Sequence, residues 1–254
     1  MNRRDFNLGL SVALAASAAA RSTSPANAGI GTYGLEAVAF DGFAILDARP
    51  VFKLAEVAFP GRGEALGAEW RGKLFQYTWL RASGQKYVDF DECMREALIY
   101  AADALKLELS AGTRDQLLFA YSNLRAFEEC REALLRLKAS GHRLIVLANP
   151  TTRMLEDAVN RSNLDGIFDD VISTGRAQTF KPTPRAYQLG LDSLRLPAEK
   201  VGFAASAGWD AAGAKWFGHR SFLINRQSAR RERLSAEPDW EGRDLTALAD
   251  AMLA

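Results

Sequence analysis

The chain of 254 residues has the length and the apolar content of a folded globular protein with one well-buried core and room for an insertion. Its 32 Lys and Arg residues are balanced by 31 Asp and Glu residues, which leaves a formal net charge of +1. Such an even balance provides no long-range field that would steer a polyanion to the protein. The composition therefore gives no indication of nucleic acid or an acidic membrane as a partner.

Residues 1–28 have the pattern of a twin-arginine export signal. Arg3 and Arg4 precede an alanine-rich apolar stretch at residues 8–20, which is shorter than a membrane-spanning helix needs. Small residues follow at 25–28, as they do before a signal-peptide cleavage site. We therefore expect cleavage after Ala28, a periplasmic mature protein and no stable membrane insertion after cleavage. The alternative is an uncleaved tail that anchors the protein.

Asp41 directly follows an apolar run at residues 35–40 that has the length of a buried strand. Open α/β sheets place their ligands at the carboxyl ends of parallel strands. Phe43 stands two residues after Asp41, which disfavours a paired-carboxylate magnesium site and favours a lone nucleophile. A second interpretation remains open at this point, because an Asp here also caps a turn after a strand.

Further strand-like runs alternate with helical patterns from residue 128 onward, with helices indicated at 128–139 and 151–161. The runs are residues 144–148, 171–173, 201–205 and 222–224. This alternation predicts an α/β fold with a doubly wound, mostly parallel sheet.

Residues 48–124 break the alternation, because they carry three helical patterns and few strand signals. We therefore predict a helical cap at 48–124, inserted into an α/β core formed by residues 29–47 and 125–254. Cys93 and Cys130 both fall on helical patterns, outside any C-x-x-C pair and away from the histidines. We expect packing roles for these thiols and no metal or cofactor, while their pairing stays open.

Three polar residues follow other predicted strands or begin helices. Lys181 precedes Pro182, so it is not helical. If its ammonium lies beside Asp41, it would keep that carboxylate ionised. The alternative is a solvated surface lysine. Asp210 follows the run at 201–205 and either orients a water or caps a helix. Asn149 follows the run at 144–148 and is expected to cap the next helix.

Taken together, these residues and the helical insertion resemble the haloacid dehalogenase superfamily. Several strings between residues 35 and 240 are similar to the type II (S)-2-haloacid dehalogenases in particular. They are FPGRGE at 59–64, WRGK at 70–73, YTWLR at 77–81, AGWDA at 207–211 and GAK at 213–215.

The resemblance implies metal-independent hydrolytic dehalogenation of a 2-haloalkanoic acid, a small-molecule substrate, no cofactor and a homodimer. Asp41 would attack the halogen-bearing carbon, halide would leave with inversion, and water would hydrolyse the aspartyl ester. The same resemblance implies Lys181 and Asp210 as further catalytic residues, and Arg71, Asn149, Tyr187 and Trp209 as substrate- and halide-binding residues, with Tyr187 also organising the nucleophile.

The chain departs from the family pattern around the nucleophile. Phe43-Ala44-Ile45 replaces the usual Tyr-Gly-Thr, and Ala148 stands where a Ser that binds the substrate carboxylate is expected. Ala205 and Ala207 replace the usual Ser and Asn beside the hydrolytic water. These changes predict slower ester hydrolysis or a less polar substrate. They leave a catalytically impaired or non-catalytic ligand-binding protein as the alternative, while Phe43 disfavours a metal-dependent phosphatase.

Overall fold

The computed structural model describes residues 30–254. The export signal predicted at residues 1–28 lies outside this range and stays a prediction. Six parallel strands form one sheet in the order β5-β4-β1-β6-β7-β8, which confirms the predicted α/β class with a mostly parallel sheet. The strands are β1 Ala37–Phe40, β4 Arg143–Ala148, β5 Asp170–Ser173, β6 Val201–Ala205, β7 Arg220–Ile224 and β8 Trp240–Gly242.

The central strand β1 lies between β4 and β6, and all four of its residues are buried. Val38 and Phe40 face one apolar cluster, whereas Ala37 and Ala39 face the other, as the two-residue period of a strand requires. Successive strands run outward from β1 in both directions, so the sheet reverses its strand order there. The carboxyl end of β1 is therefore the position at which such sheets form a ligand-binding crevice.

Helices cover both faces of the sheet, as a doubly wound fold requires. One face packs against α6, α7 and α10, and the other against α8 and α9. The short helix α1 follows β1 directly. The bounds are α1 Gly42–Ile45, α6 Cys130–Ala139, α7 Thr152–Arg161, α8 Pro184–Leu194, α9 Gly208–Phe217 and α10 Leu245–Leu253.

Four helices lie between two very short strands, β2 and β3. These strands pair antiparallel, with Leu46 opposite Ala126 and Asp47 opposite Arg125, so the chain enters and leaves the helical segment at adjacent points. Trp70 is buried among the helices and donates its indole N–H to the Met94 carbonyl oxygen at 2.9 Å. The bounds are β2 Leu46–Asp47, α2 Arg49–Ala58, α3 Gly63–Ser83, α4 Phe90–Ala104, α5 Ala111–Ser122 and β3 Arg125–Ala126.

Both cysteines are buried free thiols in apolar surroundings, which agrees with packing roles. Burial raises the pKa of the Cys93 thiol to about 11 and that of the Cys130 thiol to about 12, so neither is a thiolate at neutral pH. None of the helices within residues 30–254 is both long and apolar enough to cross a membrane.

Candidate active site

Asp41 lies at the carboxyl end of β1 and is only 6% exposed. Its backbone N–H donates to the Ala204 carbonyl oxygen of β6 at 2.9 Å, which ties it to the neighbouring strand. Its Oδ2 accepts from the backbone N–H of Phe43 at 3.1 Å, so the side chain caps α1. The capping interpretation and the active-site interpretation of Asp41 therefore do not exclude each other.

Lys181 is buried beside Asp41, and the alternative of a solvated surface lysine is wrong. Its Nζ lies 2.8 Å from Asp41 Oδ1 and 2.6 Å from Asp210 Oδ2, so one ammonium bridges two carboxylates. The same Nζ lies 4.9 Å from the centroid of the Phe203 ring. Apolar packing around the ammonium excludes water, and a buried charge of this kind requires the charged partners it has.

Asn149 does not cap a helix, which corrects the expectation from its sequence position. The cap of α7 is Thr151, whose hydroxyl accepts from the Met154 N–H, because Pro150 delays the start of the helix. The Asn149 amide oxygen instead accepts from the Lys181 backbone N–H at 2.9 Å and from the Thr174 hydroxyl at 3.1 Å. Asn149 therefore holds the loop that carries Lys181, and it also lines the cleft above Asp41.

Asp210 is the third residue of α9 rather than its cap, so the capping alternative is wrong; Ala207 occupies the cap position. Tyr187 donates its hydroxyl to Asp210 Oδ1 at 2.7 Å, while Lys181 occupies Asp210 Oδ2. Tyr187 is fully buried and is not among the residues that line the cleft, although the sequence predicted that it binds the substrate. It lies behind Asp210 and reaches Asp41 only through Asp210 and Lys181.

Burial and mutual charge interactions set the protonation states of Lys181 and Asp210. Burial raises the pKa of Asp210 to about 6, and the nearby Asp41 adds to this while Lys181 opposes it. Burial by itself lowers the pKa of Lys181, but the carboxylates of Asp210 and Asp41 outweigh burial and raise it. Lys181 is therefore a permanent ammonium near neutral pH, and the group of three carries a net charge of −1 once both carboxylates are ionised.

Stability is expected to depend on the ionisation of Asp210. Its pKa of about 6 lies above the ordinary value of 3.8, so folding favours the neutral acid, and this contribution to stability is lost as pH rises through about 6. The wild-type advantage over Asp210→Asn in free energy of unfolding should therefore fall by roughly 2–3 kcal/mol between pH 4 and pH 8. Urea unfolding of both proteins measures this, and a difference independent of pH would contradict the assignment.

Ser206 is a site residue that the sequence analysis missed. Its hydroxyl donates to Asp41 Oδ2 at 2.9 Å, so both carboxylate oxygens of Asp41 are held although Ile45 provides no hydroxyl. The sequence did contain a signal, because Ser206 has the only hydroxyl in the segment 204–207 and follows β6 at the same sheet edge as Asp41.

The cleft above Asp41 has a volume of about 1030 Å³. Asn149 and Ser206 line it from the core, and Arg71 lines it from α3. Trp209 also lines it and packs against the α3 residue Phe75, with ring centroids 5.2 Å apart. The structure thus brings Asp41, Arg71, Asn149 and Trp209 to one cleft, with Lys181 and Asp210 buried beneath Asp41.

The segment 225–239, between β7 and β8, also lines this cleft and received no role from the sequence. Arg226 in this segment forms an ion pair with Glu129 at 2.5 Å and donates to the Ala44 carbonyl oxygen at 2.9 Å. It therefore connects this segment to α1, directly after the candidate nucleophile. Within residues 30–254, no group of three or more His, Cys, Asp or Glu side chains is placed to hold a metal ion.

The structure therefore combines a parallel α/β sheet, a helical insertion and a buried Asp-Lys-Asp group at the carboxyl edge of the sheet. Residues 30–218 match the family model for haloacid dehalogenase-like hydrolases, and the chain belongs to this family.

Characterised relatives match most of the chain. The protein is 36% identical over 217 residues to the (S)-2-haloacid dehalogenase of Pseudomonas sp. (strain YL), which covers 85% of this chain and 94% of the relative. It is also 36% identical over 207 residues to haloacetate dehalogenase H-2 of Moraxella sp. (strain B), and this match covers 81% of this chain and 92% of the relative. Among solved structures, the L-2-haloacid dehalogenase of Xanthobacter autotrophicus is similar with a TM-score of 0.80 and 30% identity, covering 87% and 99%.

Proposed function

We propose that this protein hydrolyses the carbon–halogen bond of 2-haloalkanoic acids through an ester of Asp41. The observation that carries the proposal is the buried, ion-paired carboxylate of Asp41, which opens onto a cleft in a chain whose relatives are named (S)-2-haloacid dehalogenases. Lys181 holds one oxygen of Asp41, and Ser206 holds the other, so the nucleophile is oriented before the substrate binds.

In the first step, an oxygen of Asp41 forms a bond to the 2-carbon as the carbon–halogen bond breaks, and the halide leaves with the electron pair. Arg71 and the Asn149 amide line the cleft and supply positive charge and an N–H donor for the departing anion. In the second step, water adds to Cγ of the ester, the 2-hydroxy acid leaves and the Asp41 carboxylate is regenerated. One proton is released in total.

Asp210 has an electrostatic role in these two reaction steps. Esterification removes the negative charge of Asp41, which would leave the buried Lys181 ammonium without a counterion if Asp210 were absent. Asp210 keeps the ammonium paired throughout, and Tyr187 fixes Asp210 in place. We therefore assign Asp210 and Tyr187 as positioning residues that act through Lys181.

The stereochemistry of the product tests this proposal. Incubation with (S)- and (R)-2-chloropropanoate is expected to consume the (S) acid and to give (R)-2-hydroxypropanoate, because attack at carbon by Asp41 inverts the configuration once. Chiral chromatography of the product and a halide assay measure both. A racemic product, or a product that retains the configuration, would contradict a single displacement at carbon.

The alternative is either an impaired enzyme that forms the ester but hydrolyses it very slowly, or a non-catalytic protein that only binds its ligand. Ile45, Ala148, Ala205 and Ala207 favour it, because none of these side chains carries a hydrogen-bond donor for the substrate or the water. Intact mass spectrometry after incubation with a haloacid separates the two forms of the alternative. A stalled enzyme accumulates the mass of the ester, whereas a binder shows no covalent addition.

A further inference from the structure

Gly72 lies on the exposed rim of the cleft. It lies inside α3 and lines the cleft, and apart from its chain neighbours and the nearby backbone of its own helix no atom lies within 4 Å of the position that a Cβ would occupy. Glycine inside a helix is less stable than alanine, and no left-handed backbone conformation requires a glycine here. The missing side chain therefore leaves the rim of the cleft open beside Arg71.

Aromatic rings form the surface next to this space. Phe75 and Trp79 follow Gly72 at helical positions i+3 and i+7, so the three residues share one face of α3. Trp209 from α9 packs against both rings, with centroids 5.2 Å from Phe75 and 5.3 Å from Trp79. All three rings line the cleft, and Trp79 stays 38% exposed there. We call Phe75, Trp79 and Trp209 the aromatic wall.

The size of the cleft and the aromatic wall on one side of it fit an apolar substituent on the substrate. A volume of about 1030 Å³ is at the upper end of ordinary ligand pockets, which hold molecules far larger than a three-carbon acid. Ala207 lines the cleft without a donor, and Ala148 at the end of β4 offers none either. An aromatic ring gains from contact with the wall and needs no hydrogen bonds from the cleft.

We propose that the preferred substrate is a 2-haloacid with an aryl substituent, whose ring occupies the space beside Gly72 against the aromatic wall. The inference rests on the proposed dehalogenation and adds the substrate class. The reacting atoms are unchanged: Asp41 displaces halide from the 2-carbon, and water releases the corresponding aryl 2-hydroxy acid.

The test compares (S)-2-chloro-3-phenylpropanoate with (S)-2-chloropropanoate by kcat/KM for halide release. The wild-type protein should favour the aryl acid by about 10-fold or more, since aromatic contacts and apolar burial together exceed 1.4 kcal/mol. Gly72→Leu fills the space and should lower the ratio of aryl to alkyl kcat/KM by about 10-fold or more. This variant should fold, because leucine has the higher helix propensity and meets no neighbouring atom at Cβ.

The matched control is Gly112→Leu in α5, where the Cβ position is also open but the residue does not line the cleft. Both kcat/KM values should match the wild type in this control. A wild-type preference for the alkyl acid, or an equal loss of both substrates in Gly72→Leu, would overturn the inference and leave the dehalogenation standing. Absence of halide release from both acids would overturn the proposed function, and the inference with it.

Discussion

Asp41→Asn is expected to lower halide release by on the order of 10⁴-fold or more, because an amide oxygen is a far weaker nucleophile than a carboxylate. The fold should persist. Asn caps helices as well as Asp does, so the hydrogen bond from the Phe43 N–H can remain. Lys181 also keeps Asp210 as its counterion. Steady-state halide assays and thermal unfolding of both proteins measure the two effects.

Gly42 follows Asp41, and this complicates the Asp41→Asn experiment. An Asn before Gly deamidates readily and would regenerate Asp41, so the intact mass of the variant is checked, and Asp41→Ala is measured beside it. Asp244→Asn is the matched control, because Asp244 also lines the cleft and caps a helix, α10, by accepting from Ala247 N–H. It should keep the wild-type rate. Comparable turnover in mass-verified Asp41→Asn and in wild type would remove Asp41 from the mechanism.

Lys181→Met is expected to lower the free energy of unfolding by about 3–5 kcal/mol at pH 8, because it leaves two buried carboxylates without their cation. Halide release should fall by on the order of 10³-fold, since Asp41 loses both its orientation and its charge partner. The stability loss should shrink toward pH 5, below the pKa of about 6 of Asp210, because a protonated Asp210 needs no cation. Urea unfolding at the two pH values measures this.

Lys215→Met provides the control for Lys181→Met. Lys215 also pairs with an aspartate, Asp239, at 2.5 Å, but the lysine side chain is 34% exposed, and Arg220 also pairs with the buried Asp239 carboxylate at 3.3 Å. A partly solvated pair of this kind contributes little, so the loss should be about 1 kcal/mol or less. If the two variants lost equal free energy of unfolding at pH 8, burial would not strengthen the ion pairs of Lys181.

The sequence predicted the sheet well because its central strands are buried on both faces and therefore are continuous apolar runs. The runs that form β1 and β4 are each followed by a polar residue that lines the cleft, Asp41 and Asn149. The pair β2 and β3 was missed, because two residues per strand carry no detectable period. Their pairing depends on contacts that are distant in the chain.

Side-chain partners were harder to predict than positions. Pro182 indicated that Lys181 is not helical, but its burial between two carboxylates depends on β1 and α9 meeting at one sheet edge. Asn149 was expected to cap a helix, yet Thr151 does so and the Asn149 oxygen binds the Lys181 loop instead. Local patterns describe local hydrogen bonds, whereas this site is built from contacts across the sheet.

The structure also indicates which reaction step is affected by the residues that depart from the family pattern. Asp41 remains oriented without a hydroxyl at Ile45, because Ser206 and the Phe43 N–H hold one oxygen and Lys181 holds the other. The proposed formation of the Asp41 ester therefore retains this support. The alanines at 205 and 207 fall at the carboxyl end of β6, so we expect them to slow mainly the second step, in which water attacks the ester.

A single turnover in water enriched in oxygen-18, with enzyme in excess over (S)-2-chloropropanoate, tests the central claim most directly. Water attacks Cγ in the proposed mechanism, so mass spectrometry of the peptide that contains Asp41 should show one heavy oxygen in its carboxylate. The hydroxyl oxygen of the first product should be unlabelled, because it comes from Asp41. Label in the product hydroxyl with none in Asp41 would show direct attack by water and contradict the ester.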